Sequence, residues 1–336
     1  MPRASVIIAS HNEGQLLRKT VQAVIESCPT LDLQIVVADD QSTDGSVDQV
    51  ARAFPQVDLV QHQQRLGPSP TKALGADASR GHALVFLDAH VKPEPGAIDL
   101  LVSHVENTDG HAIITPRLAN LDTNLWKNDD SRVGSGFTHD LLSFDALWLR
   151  ESEMRPAMRK GCRYFESPGL IGCAFAVGRP LYEKLRGFDR GMRSWGVEDL
   201  DFGLKSWLMG HPILHAPDVI VAHRFRQTFD QYSVPEQDVV FNKLLMARKA
   251  FTEPVWLAWL EFLQADCSKI LAPECPEGVW TAAWHLFEQE KSTVERERNY
   301  LHASRRFDEF WFADRFGLSW PRIPLVNPAA SLRSDH

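Results

Sequence analysis

Apolar and polar positions follow two regular patterns over roughly the first third of the chain. Short apolar runs recur, as is typical of strands that are buried on both faces of a sheet; they occupy positions 6–8, 35–37, 57–60 and 83–87. Between them, apolar residues recur at helical spacing, first at Leu17, Val21, Val24 and Ile25, and then at Val47, Val50, Ala51 and Phe54. Such alternation of strands and helices predicts a mostly parallel sheet that is flanked by helices.

The patterns change along the rest of the chain. Residues 117–168 are less regular and rich in charge, and they include Trp126 and Trp148. We expect this region to be a connection that shapes an acceptor site. A second regular block spans 169–225, and after about residue 230 the pattern becomes helical and rich in tryptophan, ending in a proline-rich stretch at 320–324. We therefore expect three parts: 1–116, 117–230 and 231–336.

Polar clusters follow three of the predicted strands, at 10–13, 39–44 and 88–90. Parallel sheets bind ligands at the carboxyl ends of their strands. Three polar strand ends are harder to explain by packing than a single one. The N-terminal third is therefore expected to carry a binding site at one edge of its sheet.

Asp88 and His90 lie two residues apart at the third of these strand ends. A carboxylate and an imidazole at this spacing can both reach one cation. Oxygen and nitrogen ligands together suit Mn²⁺ better than Ca²⁺, and Zn²⁺ is also compatible. Taken alone, the same two residues are more typical of an exposed turn than of a metal site.

Two carboxylates, Glu198 and Asp199, come directly before a predicted helix whose apolar face is formed by Leu200, Leu204 and Trp207. Carboxylates are favoured at a helix start by the helix dipole, so simple capping also explains them.

A histidine, His223, follows a further apolar strand and precedes Arg224 and Arg226. A histidine at a strand end is often structural, and this one is a candidate ligand only together with the other motifs.

Composition and charge narrow the classes of function. The 336 residues carry a formal net charge of -8 and no run of basic residues, so a nucleic-acid partner is not expected. The five cysteines are odd in number and scattered, as is typical of reduced, buried thiols. The start of the chain lacks a signal-peptide pattern, and no stretch approaches the roughly 18 apolar residues of a membrane span. We expect a cytoplasmic protein without a transmembrane segment.

The motifs together resemble a known family. The turn with Asn12 and Glu13, the turn at 39–44 and the Asp88-x-His90 element resemble the strand ends of family 2 glycosyltransferases of the GT-A fold. The second half is similar to the catalytic domain of polypeptide N-acetylgalactosaminyltransferases, in the stretches 187–200, 223–226 and 250–321. The resemblance implies a Rossmann-like, mostly parallel sheet with a helical C-terminal extension.

The resemblance also implies roles for the three parts and for single residues. Residues 1–116 would be the nucleotide-sugar-binding half, 117–230 the acceptor and catalytic half of the same domain, and 231–336 the extension. A divalent cation, Mn²⁺ or else Mg²⁺, would be bound by Asp88, His90 and His223. The donor, a nucleotide-diphospho-sugar with a uridine-like base, would contact Asn12, Glu13, Asp40, Lys72, Asp88, Trp195, Arg224 and Arg226.

The carboxylates define the expected chemistry and its alternatives. Asp199, beside Glu198, would take the proton from an acceptor hydroxyl as it attacks the sugar. The peptide-modifying enzymes have Glu-Asn here, whereas Glu-Asp is the pair of inverting family 2 enzymes, so the resemblance leaves open whether the enzyme retains or inverts the sugar's configuration. The acceptor, a peptide, a glycan or a small molecule, also stays open. A metal-dependent hydrolase and a non-catalytic nucleotide-sugar sensor are the alternative functions.

Overall fold

The computed structural model describes residues 1–29, 32–226, 233–271 and 275–318, with the backbone alone at 130–133. Its N-terminal elements are β1 (Ala4–Ser10), α1 (Gln15–Ser27), β2 (Leu33–Asp39), α2 (Ser46–Ala53), β3 (Asp58–Gln61), α3 (Pro68–Ala78) and β4 (Ala83–Asp88). These elements confirm the strand–helix alternation that the apolar pattern predicts.

The central region adds more strands. Its elements are β5 (Val91–Pro93), α4 (Ala97–Asn107), β6 (Ile113–Asp122), β7 (Lys127–Gly134), β8 (Gly136–His139), β9 (Ala146–Leu149), β10 (Arg155–Arg159), β11 (Cys162–Glu166), β12 (Ala174–Gly178), α5 (Arg179–Lys184), α6 (Glu198–Leu208) and β13 (Ile213–His223). The α-helices of the described C-terminal residues are α7 (Glu236–Ala250), α8 (Glu253–Ala265), α9 (Val279–Ser304) and α10 (Glu309–Phe316). The helical C-terminal region predicted from the sequence is thus confirmed.

Most of the strands form one large mixed sheet in the order β10-β11-β13-β6-β12-β4-β1-β2-β3, with β5 paired to β13 and β7 paired to β6. Strands β4, β1, β2 and β3 are parallel, and β13 is parallel to β6. Strand β12 is antiparallel to both β4 and β6, so it reverses direction in the middle of the sheet. The mostly parallel α/β fold is confirmed.

Residues 117–168 are more regular than the sequence suggests. They contain the end of β6 and the whole of β7 to β11, largely in antiparallel pairs, with β8 and β9 forming a separate two-stranded sheet. The expectation of an irregular connection was therefore wrong. Many of these strand residues are charged or exposed, which removes the apolar alternation on which strand prediction depends.

Two apolar clusters cover the two faces of the sheet. On β1, Val6 and Ile8 pack in the cluster that includes α1, whereas Ile7 packs in the cluster that includes α3. Alternate side chains of a strand point to opposite faces, so a strand buried on both sides needs a continuous apolar run. The second cluster continues into α6 and into helices α7 to α10, which makes those helices part of the main core.

The two predicted boundaries between the three parts of the chain can be compared with the observed elements. The boundary at 116/117 lies inside β6, and the boundary at 230/231 lies outside the described residues. The tail at 319–336, with the proline-rich stretch, is also outside them. Among the described residues, no helix is both long and apolar enough to cross a membrane. All five cysteines are free thiols, and two of them, Cys28 and Cys173, are buried.

Candidate active site

One cavity of about 390 Å³ opens at the carboxyl ends of β1, β2, β4 and β13. Its lining includes every site residue predicted from the sequence except Asn12: Glu13, Asp40, Lys72, Asp88, His90, Trp195, Glu198, Asp199, His223, Arg224 and Arg226. These residues come from positions up to 213 apart along the chain. The sheet therefore brings the separate motifs to one place, as the position of the strand ends predicts.

Sheet register places the three predicted cation ligands beside one another. Asp88 ends β4, the chain turns through His90, and β5 then pairs antiparallel with the end of β13, where Val91 lies opposite His223. The backbone N–H of Arg224 donates to the carbonyl oxygen of His90 at 3.1 Å. On the other side of the turn, the hydroxyl of Thr20 donates to the carbonyl oxygens of residues 89 and 91. We call Asp88, His90 and His223 the cation triad.

The geometry of the triad fits a divalent cation. One ligand atom from each residue can be chosen so that all three lie within 4.8 Å of one another. Asp88 Oδ2 is 3.5 Å from His223 Nε2 and 4.0 Å from His90 Nε2. Within the part of the chain that the structure describes, neither ring nitrogen of His223 has a hydrogen-bond partner. Buried ring nitrogens without a hydrogen bond are costly unless something else, such as a cation, satisfies them.

The ionisation states of the triad also favour binding of a divalent cation. Burial lowers the pKa of His223 and outweighs the opposing effect of Asp88, which favours the neutral imidazole that binds metals. Burial would raise the pKa of Asp88, but the adjacent His223 imidazole and the charge of Lys72 hold it well below its usual range. The triad thus offers one carboxylate and a neutral imidazole around neutral pH.

Glu13 and Arg226 form an outer layer behind the triad. Glu13 Oε1 lies 3.1 Å from His90 Nδ1, and the guanidinium of Arg226 donates to both oxygens of Glu13. Burial would raise the pKa of Glu13, but the hydrogen bond with His90 and the charge of Arg226 lower it. A carboxylate that accepts from Nδ1 leaves Nε2 as the ligand atom, as is usual for metal-binding histidines. The structure therefore gives Glu13 and Arg226 partners inside the protein, in addition to the donor contacts that the resemblance implies.

The second chemical feature is the pair Glu198 and Asp199 at the first turn of α6, which we call the carboxylate pair. Glu198 Oε1 is 3.1 Å from the ammonium of Lys72, and both side chains are buried. Burial would lower the pKa of Lys72, but the surrounding carboxylates Glu198, Asp88 and Asp199 raise it. Lys72 thus supplies a buried positive charge beside three carboxylates and pairs directly with Glu198, since a buried charge without a partner is strongly destabilising.

Asp199 is held by backbone donors. Its Oδ2 accepts from the N–H of Gly172 at 3.0 Å and its Oδ1 from the N–H of Leu200 at 2.8 Å. Burial, and then the charge of Glu198, raise its pKa to about 7. A carboxyl with such a pKa exists in both forms near neutral pH, which is what a general base requires. A β-carbon at Gly172 would lie 2.8 Å from the β-carbon of Asp199, so only glycine allows this close approach.

The turn after β2 has structural partners of its own. The carboxylate of Asp40 accepts from the N–H groups of Leu66 and Gly67 at 2.7 and 2.8 Å. Asn12 does not line the cavity; it accepts from the N–H of Thr43 at 2.8 Å and so joins the turns after β1 and β2. Base recognition by Asp40 and Asn12 stays a prediction, and the observed contacts show that both residues also fix the shape of this end of the cavity.

Aromatic side chains form the remaining wall. Phe137 and Trp148, from the small β8–β9 sheet, have ring centroids 4.2 Å apart, and Trp148 meets Phe225 at 5.6 Å. Phe225 in turn packs edge-on against His223 at 4.5 Å. The sequence points to Trp148 only through the expectation of an acceptor-shaping region, and it gives no signal for Phe137. Gly172 was also missed, although a glycine next to a strand often marks close backbone approach.

Comparisons with known proteins agree with this architecture. The glycosyl transferase family 2 model matches residues 5–186, and the model for the N-terminal domain of galactosyltransferase matches residues 153–226. Polypeptide N-acetylgalactosaminyltransferase 8 of Drosophila melanogaster is 29% identical over 340 residues, covering 98% of this chain and 54% of that protein. Polypeptide N-acetylgalactosaminyltransferase 3 of Homo sapiens is 30% identical over 262 residues, covering 74% of this chain and 41% of that protein. The chain thus spans about half the length of these relatives or less.

A solved structure shows the same fold. The crystal structure of GalNAc-T7 with UDP, GalNAc and Mn²⁺ superposes with a TM-score of 0.68 at 20% identity, over 94% of this chain and 57% of that one. At this identity the likeness establishes the GT-A fold, which confirms the predicted fold. The family 2 model covers more than half of the chain, from β1 through α5. The chain belongs to glycosyl transferase family 2.

Proposed function

We propose that this protein is a divalent-cation-dependent glycosyltransferase that moves a sugar from a nucleotide-diphospho-sugar, with uridine as the base, to an acceptor nucleophile. The observation that carries the proposal is the presence of the cation triad and the carboxylate pair in one cavity. A nucleotide diphosphate leaving group gains negative charge as the sugar C1–O bond breaks, and a bound divalent cation supplies the compensating positive charge. Mn²⁺ is the preferred candidate because the triad combines oxygen and nitrogen ligands.

Residues of this chain would take the proton from the acceptor and stabilise the charges of the reaction. Asp199 takes the proton of the acceptor hydroxyl, for which its pKa of about 7 is suited. Lys72 holds Glu198 by an ion pair and adds positive charge near Asp88. Arg224 lines the cavity beside the triad and would face the diphosphate.

The donor and acceptor would occupy different ends of the cavity. The donor would lie at the carboxyl ends of β1, β2 and β4, against Asp40, so residues 1–116 would form the nucleotide-sugar half. The aromatic wall of Phe137, Trp148 and Phe225 would face the acceptor, which supports the assignment of 117–230 as the acceptor half. Residues 231–336 would be the extension. A cytoplasmic location stays a prediction.

A peptide acceptor is the second candidate, in a retaining enzyme similar to the relatives. It is supported by the names of those relatives, which are polypeptide N-acetylgalactosaminyltransferases, and by the solved neighbour that contains UDP, GalNAc and Mn²⁺. Against retention stands the pair Glu198 and Asp199, since the resemblance associates Glu-Asp with inverting family 2 enzymes, and a carboxylate at this position can deprotonate the acceptor for a single displacement. The anomeric configuration of the product, read by NMR, distinguishes the two.

A donor panel tests the proposal. The purified protein is incubated with UDP- and GDP-sugars and Mn²⁺, with and without EDTA, and nucleotide release is measured with peptide, glycan or no acceptor. We expect release from a UDP-sugar that needs both the cation and an acceptor. Equal release without any acceptor would identify a hydrolase, and binding without release would identify a sensor.

The variant His90→Ala, compared with His111→Ala at the exposed surface, connects the result to the triad. We expect the first variant to lose cation-dependent UDP binding and the second to keep it. Equal UDP affinity with and without Mn²⁺ in the unsubstituted protein would overturn the cation assignment.

A further inference from the structure

The carboxylate pair follows a stretch of unusual backbone. Ser194, Gly196 and Val197 all have positive φ values, of 48°, 117° and 58°. For a β-branched residue such as Val197 a positive φ is an outlier, and strained backbone persists only where the surrounding structure imposes it. Helix α6 begins at the next residue, so this conformation decides where the carboxylates point. We refer to residues 189–201 as the catalytic segment.

Asn242, on α7, is the main partner of this backbone. It is 1% exposed, and its Oδ1 accepts from the N–H of Arg193 at 2.9 Å. Its Nδ2 donates to the carbonyl oxygens of Arg193 and Gly196, at 2.7 and 3.2 Å. One side-chain amide thus satisfies backbone groups on both sides of Trp195, and a buried polar group of this kind is expensive to leave unpaired.

The same face of α7 contacts the catalytic segment at two further places. Asp238, one turn before Asn242, accepts from the hydroxyl of Ser194 at 2.7 Å. Lys249, two turns after it, is buried and forms ion pairs with Asp189 and Asp201. Spacings of four and seven residues lie on one side of a helix, so these three side chains form a single polar stripe.

The opposite flank of the segment is fixed by the nucleotide half of the sheet. A β-carbon at Gly67 would lie 2.0 Å from the carbonyl oxygen of Ser194, so the two backbones are in direct contact. The N–H of Gly67 is in turn held by Asp40, directly after β2. The strained backbone is therefore enclosed between the end of β2 and the polar stripe of α7.

We propose that Asn242 is a positioning residue for the reaction and that helix α7 of the C-terminal extension sets the conformation from which Glu198 and Asp199 act. The catalytic consequence rests on the proposed function, whereas the conformational one does not. Loss of the amide leaves the N–H and carbonyl of Arg193 and the carbonyl of Gly196 without this partner. The strained backbone then relaxes and the carboxylates lose their fixed position.

Hydrogen exchange read by mass spectrometry tests the conformational part. In Asn242→Ala we expect the amides of 193–199 to exchange at least about tenfold faster than in the unsubstituted protein, since Arg193 N–H loses its acceptor. Lys243→Met is the matched control. Lys243 is the next residue on α7, is also buried, and bonds instead to Asp145 and the carbonyl oxygen of Ile270. Its loss removes comparable buried polar contacts without touching the segment.

Kinetics and nucleotide binding complete the test. We expect Asn242→Ala to lower kcat about tenfold or more, with UDP–Mn²⁺ affinity by calorimetry nearly unchanged, and Lys243→Met to leave kcat within about twofold. Ser194→Ala, which removes only the bond to Asp238, should give smaller changes in the same direction and serves where Asn242→Ala does not fold.

The outcomes separate this inference from the proposed function. Unchanged exchange of 193–199 in both Asn242→Ala and Ser194→Ala would overturn the positioning role, as would equal changes in Lys243→Met. Faster exchange confined to the two segment variants supports it, even if no donor in the panel is turned over; that result would refute the transferase proposal alone.

Discussion

The cation triad and the carboxylate pair share one cavity, yet different parts of the fold hold them in place. The triad lies at the ends of core strands, and the pairing of β5 with β13 fixes its spacing. The carboxylate pair begins a helix after strained backbone, held by Asn242 from a helix that follows in the chain. Positions set by a sheet ladder tolerate changes nearby, whereas positions set by a few buried polar contacts depend on each of them. The two features should therefore respond differently to substitution.

The largest effect is expected for Asp199→Asn. An amide cannot accept the acceptor's proton, so transfer should fall by about 10²- to 10⁴-fold, while UDP–Mn²⁺ affinity should stay nearly constant. Steady-state kinetics and calorimetry measure the two quantities separately. Asp48→Asn, which changes a carboxylate in the first turn of α2 away from the cavity, is the control. Near-normal turnover by Asp199→Asn would leave Asp199 as a structural residue and favour the retaining alternative.

A substitution beside the cation triad is expected to change the affinity for the cation rather than the rate of the chemical step. Glu13→Gln replaces the carboxylate that accepts from His90 Nδ1 and pairs with Arg226 by a weaker, neutral acceptor. Loss of such a contact behind a metal ligand lowers metal affinity by about 10- to 100-fold. We expect the Mn²⁺ concentration needed for half-maximal UDP binding to rise by this factor, with less effect on turnover at saturating Mn²⁺. Glu26→Gln, on the outer surface of α1, should change neither. A loss of turnover that excess Mn²⁺ does not restore would contradict the assignment.

The pH–rate profile distinguishes the two features in a single protein. Because burial raises the pKa of Asp199 to about 7, the rate at saturating cation should fall about tenfold per pH unit below that value. Burial lowers the pKa of His223, so protonation of the triad should contribute only at lower pH. A profile that is flat down to about pH 5 would contradict the assignment of Asp199 as the general base.

The smallest effect concerns stability. Asp199 binds its proton more tightly in the folded protein than in the unfolded chain, so its contribution is fully present below the unfolded pKa of about 3.9 and is lost as pH rises to about 7. Without metal, the free energy of unfolding of the unsubstituted protein should therefore fall relative to that of Asp199→Asn over this range. Denaturant unfolding at pH 5 and pH 8 measures the difference. If the free energies of unfolding of the two proteins differ by the same amount at pH 5 and at pH 8, Asp199 is not protonated in the folded state.

Much of the fold was predictable because local patterns carried it. The runs at β1, β2 and β4 are buried on both faces, which demands continuous apolar sequence, and the helices between them show one apolar stripe each. The strands of 117–168 were missed because their side chains are often charged or exposed. In the site, Asp88, His90 and His223 were recognisable because each follows an apolar strand, and strand ends are where such sheets bind ligands.

The sequence by itself therefore determined the α/β framework, the helical C-terminal region and the residues that reach one edge of the sheet, since these depend on period and on neighbours in the chain. Only the tertiary structure decided which side chains and backbone groups those residues contact inside the protein. Lys72 pairs with Glu198 from 126 positions away, Glu13 with Arg226 from 213, and Asn242 reaches back 49 to Arg193. Contacts between residues so far apart in the sequence produce no periodic pattern in it. They depend on how strands and helices pack rather than on neighbouring residues.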